Sequence, residues 1–130
     1  MFKIHKADDG RVLPFEHLPA AAITPKVGMA LTVTGGQLAV CGGGTKPAYI
    51  CMQEKDTAVE AGTEIPVVRV QADVIWETTN SAAFTSIKAG SKVTLTADGL
   101  QVTATTADGV AEVVAFDDTV AGSKVLVRFN

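Results

Sequence analysis

Hydrophobic and polar residues alternate in short runs along most of this chain, and turn signals separate the runs. In "LTVT" and "KVTLTA" every second residue is apolar, which is the period of a strand with one buried face. Gly35-Gly36, Asp98-Gly99 and Asp108-Gly109 each lie between two such runs, and dipeptides of this kind fit the tight turn of a β-hairpin. No segment longer than about ten residues has helical periodicity. The pattern therefore predicts an all-β fold.

The runs predict nine strands and at most a short helical turn within Asn80–Ile87. The predicted strands are Met29–Thr34, Gln37–Cys41, Ala48–Gln53, Ile65–Val70, Val74–Thr78, Lys92–Ala97, Leu100–Thr106, Val110–Phe116 and Lys124–Phe129.

The pentapeptide "AGSKV" occurs twice, at 89–93 and at 121–125, each time just before a predicted strand. Related corners precede the strands near Gly28 and Gly62. A glycine at such a place supplies a backbone conformation that other residues resist, so we interpret Gly28, Gly62, Gly90 and Gly122 as structural corners. A Ser/Lys hydrolase pair is excluded, because Ser91 and Lys92 are adjacent in a strand start and point to opposite faces.

The similarity between the two copies extends beyond the pentapeptide. Residues 26–40 and 88–102 share six identities in fifteen positions at a constant offset of 62. We interpret the chain as two halves of similar plan, about 26–78 and 88–129, whose sheets bury their apolar faces against each other as a small barrel or sandwich. Chance repetition in a chain rich in Val, Thr and Ala is the alternative.

The N-terminal segment 1–25 differs in character from the rest. It contains Pro14, Pro19 and Pro25, and proline disfavours both helix interiors and sheet pairing, so we expect an extended, irregular arm. Its apolar residues pack either on the chain's own domain, 26–130, or on a neighbouring subunit or partner. The residues predicted for a partner or oligomer interface are Leu13, Phe15, Leu18, Ile23 and Trp76, with Trp76 assigned first to the core.

Length, charge and cysteine content narrow the class of protein. A chain of 130 residues suits one domain with a real core. The net charge of −3 and the scattered basic residues argue against partners with a phosphate backbone and against anionic membranes. Cys41 and Cys51 could pair across a hairpin, but buried reduced thiols are the favoured interpretation.

No pattern of reactive side chains predicts a catalytic, metal or cofactor site. His5 and His17 are the only histidines and no nucleophile motif accompanies them. Asp8-Asp9 and Asp117-Asp118 lack the spacing of a calcium loop, and the glycines at 42–44, read as a flexible loop, lack the helix that a phosphate loop needs. A glycan- or ligand-binding module is the competing hypothesis, and its aromatic platform would come from Tyr49, Trp76, Phe84 or Phe116.

Five segments together resemble a known family: "VLPFEHLPAAAITPKVGMAL", "GGTKPAYICM", "IPVVRV", "FTSIKAGSKVTLTADGLQVTATTADGVAEVV" and "AGSKVLVRF". They are similar to the head decoration, or auxiliary capsid, proteins of tailed phages and prophages. The resemblance implies a non-enzymatic all-β protein that binds the capsid or another virion component and is made in the cytoplasm of the host bacterium. A homo-oligomer, with a trimer favoured, is implied in the same way. The matching motifs are turns and strands, with structural glycines at Gly35, Gly36, Gly62, Gly90, Gly99, Gly109 and Gly122.

Overall fold

The computed structural model describes all 130 residues and contains ten β-strands and no helix. The strands are β1 (Lys3–Ala7), β2 (Phe15–Pro19), β3 (Ala30–Thr34), β4 (Gln37–Val40), β5 (Tyr49–Cys51), β6 (Glu64–Arg69), β7 (Val74–Thr79), β8 (Lys92–Val93), β9 (Ala111–Phe116) and β10 (Lys124–Arg128). The all-β prediction is confirmed, and the segment 80–87 forms no helical turn.

The strands form two antiparallel sheets of five strands each. The first sheet has the order β2-β6-β5-β3-β4, and the second has the order β1-β7-β10-β9-β8. A single bridge, Ala20 to Leu38, joins the two ends of the first sheet without a continuous ladder. The sheets are therefore not closed into a barrel, and of the two predicted architectures the sandwich describes the fold.

The two sheets repeat one another in register, strand by strand. β3 pairs with β5 through Ala30–Ile50 and Leu31–Tyr49, and β8 pairs with β9 through the positions 62 residues later, Lys92–Glu112 and Val93–Ala111. The pairing of β2 with β6 recurs, 60 residues later, between β7 and β10. Backbone hydrogen bonds repeat as well: Gly28 N donates to Cys51 O at 2.8 Å, and Gly90 N to Val113 O at 2.7 Å. The structure thus contains two copies of one supersecondary unit.

The copies begin earlier along the chain than the sequence comparison suggested. The first unit runs from β2 to β6, and the second from β7 to β10, so Val74–Thr79 opens the second unit instead of closing the first. Each unit forms one sheet, and β1 is an additional strand beside β7.

The N-terminal segment is extended as expected, but it is not irregular. β1 pairs with β7 at the edge of the second sheet, and β2 pairs with β6 at the edge of the first. Proline does not prevent this, because Pro14 lies outside the strand and Pro19 is its last residue, on an edge where one side of the strand needs no partner.

The predicted strand Leu100–Thr106 is the main error in the strand assignment. The segment turns back at Asp98-Gly99 and exchanges backbone hydrogen bonds with Thr94 and Thr96, but the pairing is irregular and leaves only the isolated bridges Leu95–Val102 and Asn80–Val102 in place of a strand. The Asp108-Gly109 turn is present, but it does not join two paired strands, because β9 pairs with β8 and β10. The hairpin at Gly35-Gly36 forms between β3 and β4 as predicted.

Two hydrophobic clusters fill the interior. The larger one contains residues of both sheets, among them Ile50 and Val68 of the first and Trp76 and Val127 of the second. The smaller one is built from the first sheet and its own connections, around Leu31, Ile65 and Val67. Phe2 and Phe129 pack edge to face in the larger cluster, with ring centroids 5.5 Å apart, so both ends of the chain are held in the core.

The four glycine corners have the backbone conformation that the repeated pentapeptide indicated. Their φ angles are positive: 81° at Gly28, 92° at Gly62, 92° at Gly90 and 86° at Gly122. Gly35, Gly36 and Gly99 also have positive φ. Gly109 does not, and its neighbour Asp108 has φ 57° instead; glycine is needed at 109 because a Cβ there would collide with the backbone of Lys92 and Val93.

Candidate interaction surface

The histidines lie apart from any catalytic partner. His5 is on β1 and His17 on β2, both side chains are exposed, and neither forms a side-chain hydrogen bond. The structure does not bring either imidazole to a serine, cysteine or carboxylate.

The acidic pairs are engaged by arginine or by backbone. Asp8 accepts hydrogen bonds from Arg128 at 2.9 and 3.1 Å, and Asp9 accepts one from Arg11 at 2.8 Å. Asp118 Oδ1 accepts hydrogen bonds from the backbone N–H groups of Thr119 and Val120. No group of three or more His, Cys, Asp or Glu side chains is arranged to hold a metal ion.

Both cysteines are free and buried, as the favoured interpretation had it. Each thiol lies within reach of a backbone carbonyl, Cys41 Sγ at 3.1 Å from Thr45 O and Cys51 Sγ at 3.4 Å from Gln53 O. Burial raises the pKa of Cys41 to about 11. A thiol with so high a pKa is a poor nucleophile and acts here as a small apolar side chain.

The aromatic side chains do not form an exposed platform. Tyr49, Trp76 and Phe84 are buried, and Phe116 is half-buried against Phe84 with ring centroids 5.3 Å apart. Trp76 Nε1 has no hydrogen-bond partner in the larger cluster. No observation favours the glycan-binding hypothesis.

The residues predicted for an interface have different surroundings. Trp76 is fully buried in the core, so it cannot contact a partner in the folded protein, and for this residue the prediction is wrong. Leu13 is buried as well, and it reaches the surface only at the base of the groove described below. Leu18 and Ile23 are half-buried, packed against the smaller cluster. Phe15 remains, with 58% of its surface exposed, and its place at an interface stays a prediction.

Phe15 belongs to an open groove between the two sheet edges, which we call the N-terminal groove. It has a volume of about 400 Å³ and is lined by residues 4–7, 10–13 and 15. Ile4, Val12 and Phe15 are exposed in it, Val12 to 93%, while Ala7 and Leu13 at its base belong to the larger core cluster. The groove is therefore an unclosed side of the main core.

The loop between β1 and β2 is fixed by arginine. Arg11 donates to both carboxylate oxygens of Asp73, at 2.7 and 2.9 Å, and to Gln71 Oε1 at 2.6 Å. The hydrogen bond from Arg11 holds the pKa of Asp73 below its ordinary value, and the one from Arg128 does the same for Asp8. Lys6, which lines the groove, forms no ion pair, whereas Lys3 lies outside the lining and opposite Glu77 on β7.

A second recess lies on the first sheet near the β3–β4 hairpin, and we call it the hairpin recess. It has a volume of about 220 Å³ and no charged residue in its lining, which consists of Leu18, Pro19, Val33, Gly36, Gln37, Leu38 and Tyr49. Val33 is 51% exposed there, and Val40 is exposed on the neighbouring strand.

A third exposed apolar residue, Val120, projects from the turn between β9 and β10. It is 62% exposed, and Asp117 and Asp118 directly precede it. The sequence pattern did not indicate that Ile4, Val12, Val33, Val40 and Val120 are exposed. A valine between turn residues, as in "DDTVAG", is the signal that could have identified Val120, because turns lie on the surface.

Neither a protein-family model nor a curated protein sequence matches the chain. None of its elements is a helix of the length and apolar character needed to span a membrane.

Proposed function

We propose that this protein is a non-enzymatic structural component of a tailed-phage or prophage virion, which decorates or stabilises the capsid by binding its surface as a small oligomer. The observation that supports the proposal most directly is the distribution of exposed apolar side chains. They lie at three places on a domain of 13.4 kDa: the N-terminal groove, the hairpin recess and the single residue Val120. Apolar patches of this kind are typical of surfaces that become buried on association.

The architecture suits such a role. Both ends of the chain pack in the core through Phe2 and Phe129, so neither end is free to fray. A capsid offers many equivalent sites, and a small oligomer that contacts several of them gains affinity through multivalency.

We assign the capsid contact to the hairpin recess. Its lining is uncharged and mostly apolar, which is the composition of an interface centre. The exposed Val33 and Val40 stand beside it on the β3–β4 hairpin, a rigid element with a tight Gly35-Gly36 turn.

Co-sedimentation with shells assembled from the major capsid protein of the virion to which the proposal assigns this chain tests the proposal. We expect the wild-type protein to sediment with the shells at a fixed ratio, and Val33→Glu to lose at least 90% of that binding, because a carboxylate would be buried against the shell. Glu60→Gln, a change at an exposed residue outside these three places, should bind normally. A wild-type protein that stays in the supernatant at micromolar concentration would refute the proposal.

A further inference from the structure

The turn that carries Val120 is held rigidly by hydrogen bonds. Asn80 Oδ1 accepts from Ser123 N at 2.8 Å, and Asn80 O accepts from Gly122 N at 2.7 Å. Ser123 Oγ donates to Val120 O at 2.6 Å, and Thr119 O accepts from Phe84 N at 2.8 Å. Val120 is therefore presented to solvent on a fixed backbone, and burying it in a partner would cost little conformational entropy.

The internal repeat supplies a direct comparison for this turn. Sixty residues earlier, Gly62 N donates to Ala20 O at 2.8 Å and Thr63 N to Glu60 O at 3.1 Å, as Gly122 N does to Asn80 O and Ser123 N to Val120 O. Glu60 is thus the structural equivalent of Val120, and it is exposed in the same way. The turn accepts a charged residue at this position without difficulty, so folding of the turn does not explain an exposed valine at 120.

The N-terminal groove is complementary to the Val120 turn in both shape and charge. The turn is a convex apolar tip preceded by two carboxylates, Asp117 and Asp118. The groove is concave, exposes Ile4, Val12 and Phe15, and contains Lys6, which forms no ion pair. Asp117 is itself only loosely held, 3.9 Å from Lys124, and its side chain is 70% exposed.

The two surfaces cannot meet within one molecule. Ala7 of the groove pairs with Val74 at the start of β7, whereas the Val120 turn is bonded to Asn80, just beyond the end of β7 at Thr79. Five residue steps along a strand separate these ends by about 17 Å. A contact between the turn and a groove therefore requires a second copy of the chain.

We propose that the protein self-associates head to tail, with the Val120 turn of one molecule docked in the N-terminal groove of the next. The contact is heterologous, because different surfaces of the two molecules meet, and it produces a closed ring or an open chain according to the angle of rotation. Val120 fills the groove between Val12 and Phe15, and Asp117 faces Lys6. This inference rests on the proposed function in one respect: it names the contact that forms the small oligomer proposed there.

Sedimentation equilibrium without capsids tests the contact. We expect the wild-type protein to associate at micromolar concentration, and Val120→Glu to weaken the association at least 100-fold while leaving the urea midpoint unchanged, because Glu60 occupies the equivalent place. Val33→Glu is the matched control, since it puts the same charge on another exposed valine, and it should associate like the wild type. A monomeric wild type at about 100 µM, or a Val120→Glu variant that associates normally, would overturn the proposal.

Charge reversal tests the predicted pairing. Lys6→Glu alone and Asp117→Lys alone should each weaken association roughly 5- to 20-fold at low salt, and the double variant should recover most of the loss because the charges again differ in sign. If the double variant is weaker than either single variant, the two groups do not face each other.

Mixing two defective variants tests the head-to-tail arrangement. Val120→Glu retains an intact groove and Phe15→Asp retains an intact turn, so a mixture should form a heterodimer and nothing larger, although each variant alone is monomeric. No heterodimer would mean that the contact is not heterologous. If the wild-type protein does not bind capsids, the proposed function is refuted, but the results on self-association still stand.

Discussion

Glycine is required at different positions of this chain for two different physical reasons. At Gly10, φ is 72° and nothing lies within 4 Å of a Cβ built there, so only the left-handed backbone conformation opposes a side chain. At Gly109, φ is not positive, and the obstacle is the backbone of Lys92, with which a Cβ would collide. The sequence identifies both residues as turn glycines. Only the structure shows that backbone strain opposes a side chain at Gly10, whereas a collision with neighbouring backbone opposes it at Gly109.

Alanine substitutions distinguish the two cases. Gly10→Ala should destabilise the protein by about 1 kcal/mol, the cost of a left-handed alanine. Gly109→Ala should cost roughly 3 kcal/mol, because β9 must move away from β8 to accommodate the methyl group. Urea unfolding followed by the fluorescence of the single, buried Trp76 measures both. Equal losses for the two variants would contradict the collision at Gly109.

At the scale of elements, β3 to β7, β9 and β10 could be predicted because they are short runs rich in apolar and β-branched residues between turn signals, although β5 and the first half of β7 are buried throughout and do not alternate. Predicted Leu100–Thr106 also alternates, yet it forms only scattered hydrogen bonds and two isolated bridges, since pairing depends on which neighbour lies beside it. The sequence did not indicate β2, because Pro14 and Pro19 bound a pattern too short to be recognised, nor β1, because it has no clear apolar alternation; the pairing of both strands is long-range. The glycines at 42–44, predicted as a flexible loop, are held in place, because Gly43 exchanges two hydrogen bonds with Leu95.

The same limit applies to the surface. Phe15 could be identified because a large apolar residue in a polar, proline-containing segment is conspicuous. The sequence does not show that Leu13, two residues away, is buried while Phe15 is exposed. Which of the two side chains points into the core depends on the direction in which the loop enters β2. Val120 was missed since a single valine in a turn carries no periodicity.

The segment between β1 and β2 should make the protein sensitive to acid. Arg11 and Arg128 lower the pKa of Asp73 and of Asp8 below the ordinary value of 3.8. A carboxyl group whose pKa is lowered by folding contributes stability above its unfolded pKa, and that stability is lost as the pH falls through the folded pKa. We therefore expect the free energy of unfolding to be constant near pH 6 and to fall below about pH 4.

Asp73→Asn should reduce this loss on acidification, because its amide has no proton to gain, and should lower stability at pH 6. Asp56→Asn is the control, since Asp56 is exposed and forms no ion pair. Urea midpoints of the three proteins between pH 6 and pH 2.5 measure the effect. If Asp73→Asn and wild type lose stability in parallel, the Arg11–Asp73 contact does not contribute.

At the scale of the whole molecule, the two units share strand order and register but differ on one face. The residues Ala30, Ile50 and Val68 of the first unit are buried in the larger cluster, and the equivalent positions of the second are Lys92, Glu112 and Arg128. The first unit thus presents an apolar face that the second covers, whereas the second presents a charged face to water. A repeat whose terminal face is polar cannot add a third copy by the same packing.

This asymmetry predicts where the chain can be cut. A break in the half-buried connection between Val70 and Gln71 separates the two units, and each fragment retains the strands that one sheet needs, with β1 free to pair across the break. A break in the loop at Lys55-Asp56 instead separates β5 from β6, so the first sheet must be assembled from two chains. After the first break, the fragments have to form only the apolar interface between the two sheets. After the second break, they also have to restore strand pairing within the first sheet.

We therefore expect co-expressed fragments 1–70 and 71–130 to purify together as a folded complex with the buried Trp76 fluorescence of the intact protein, and fragment 1–70 alone to aggregate because Ile50 and Val68 are uncovered. Fragments 1–55 and 56–130 should yield far less complex. Equal recovery from both breaks would show that the two units are not the cooperative parts of the fold, and a soluble, folded fragment 1–70 would show that its apolar face needs no cover.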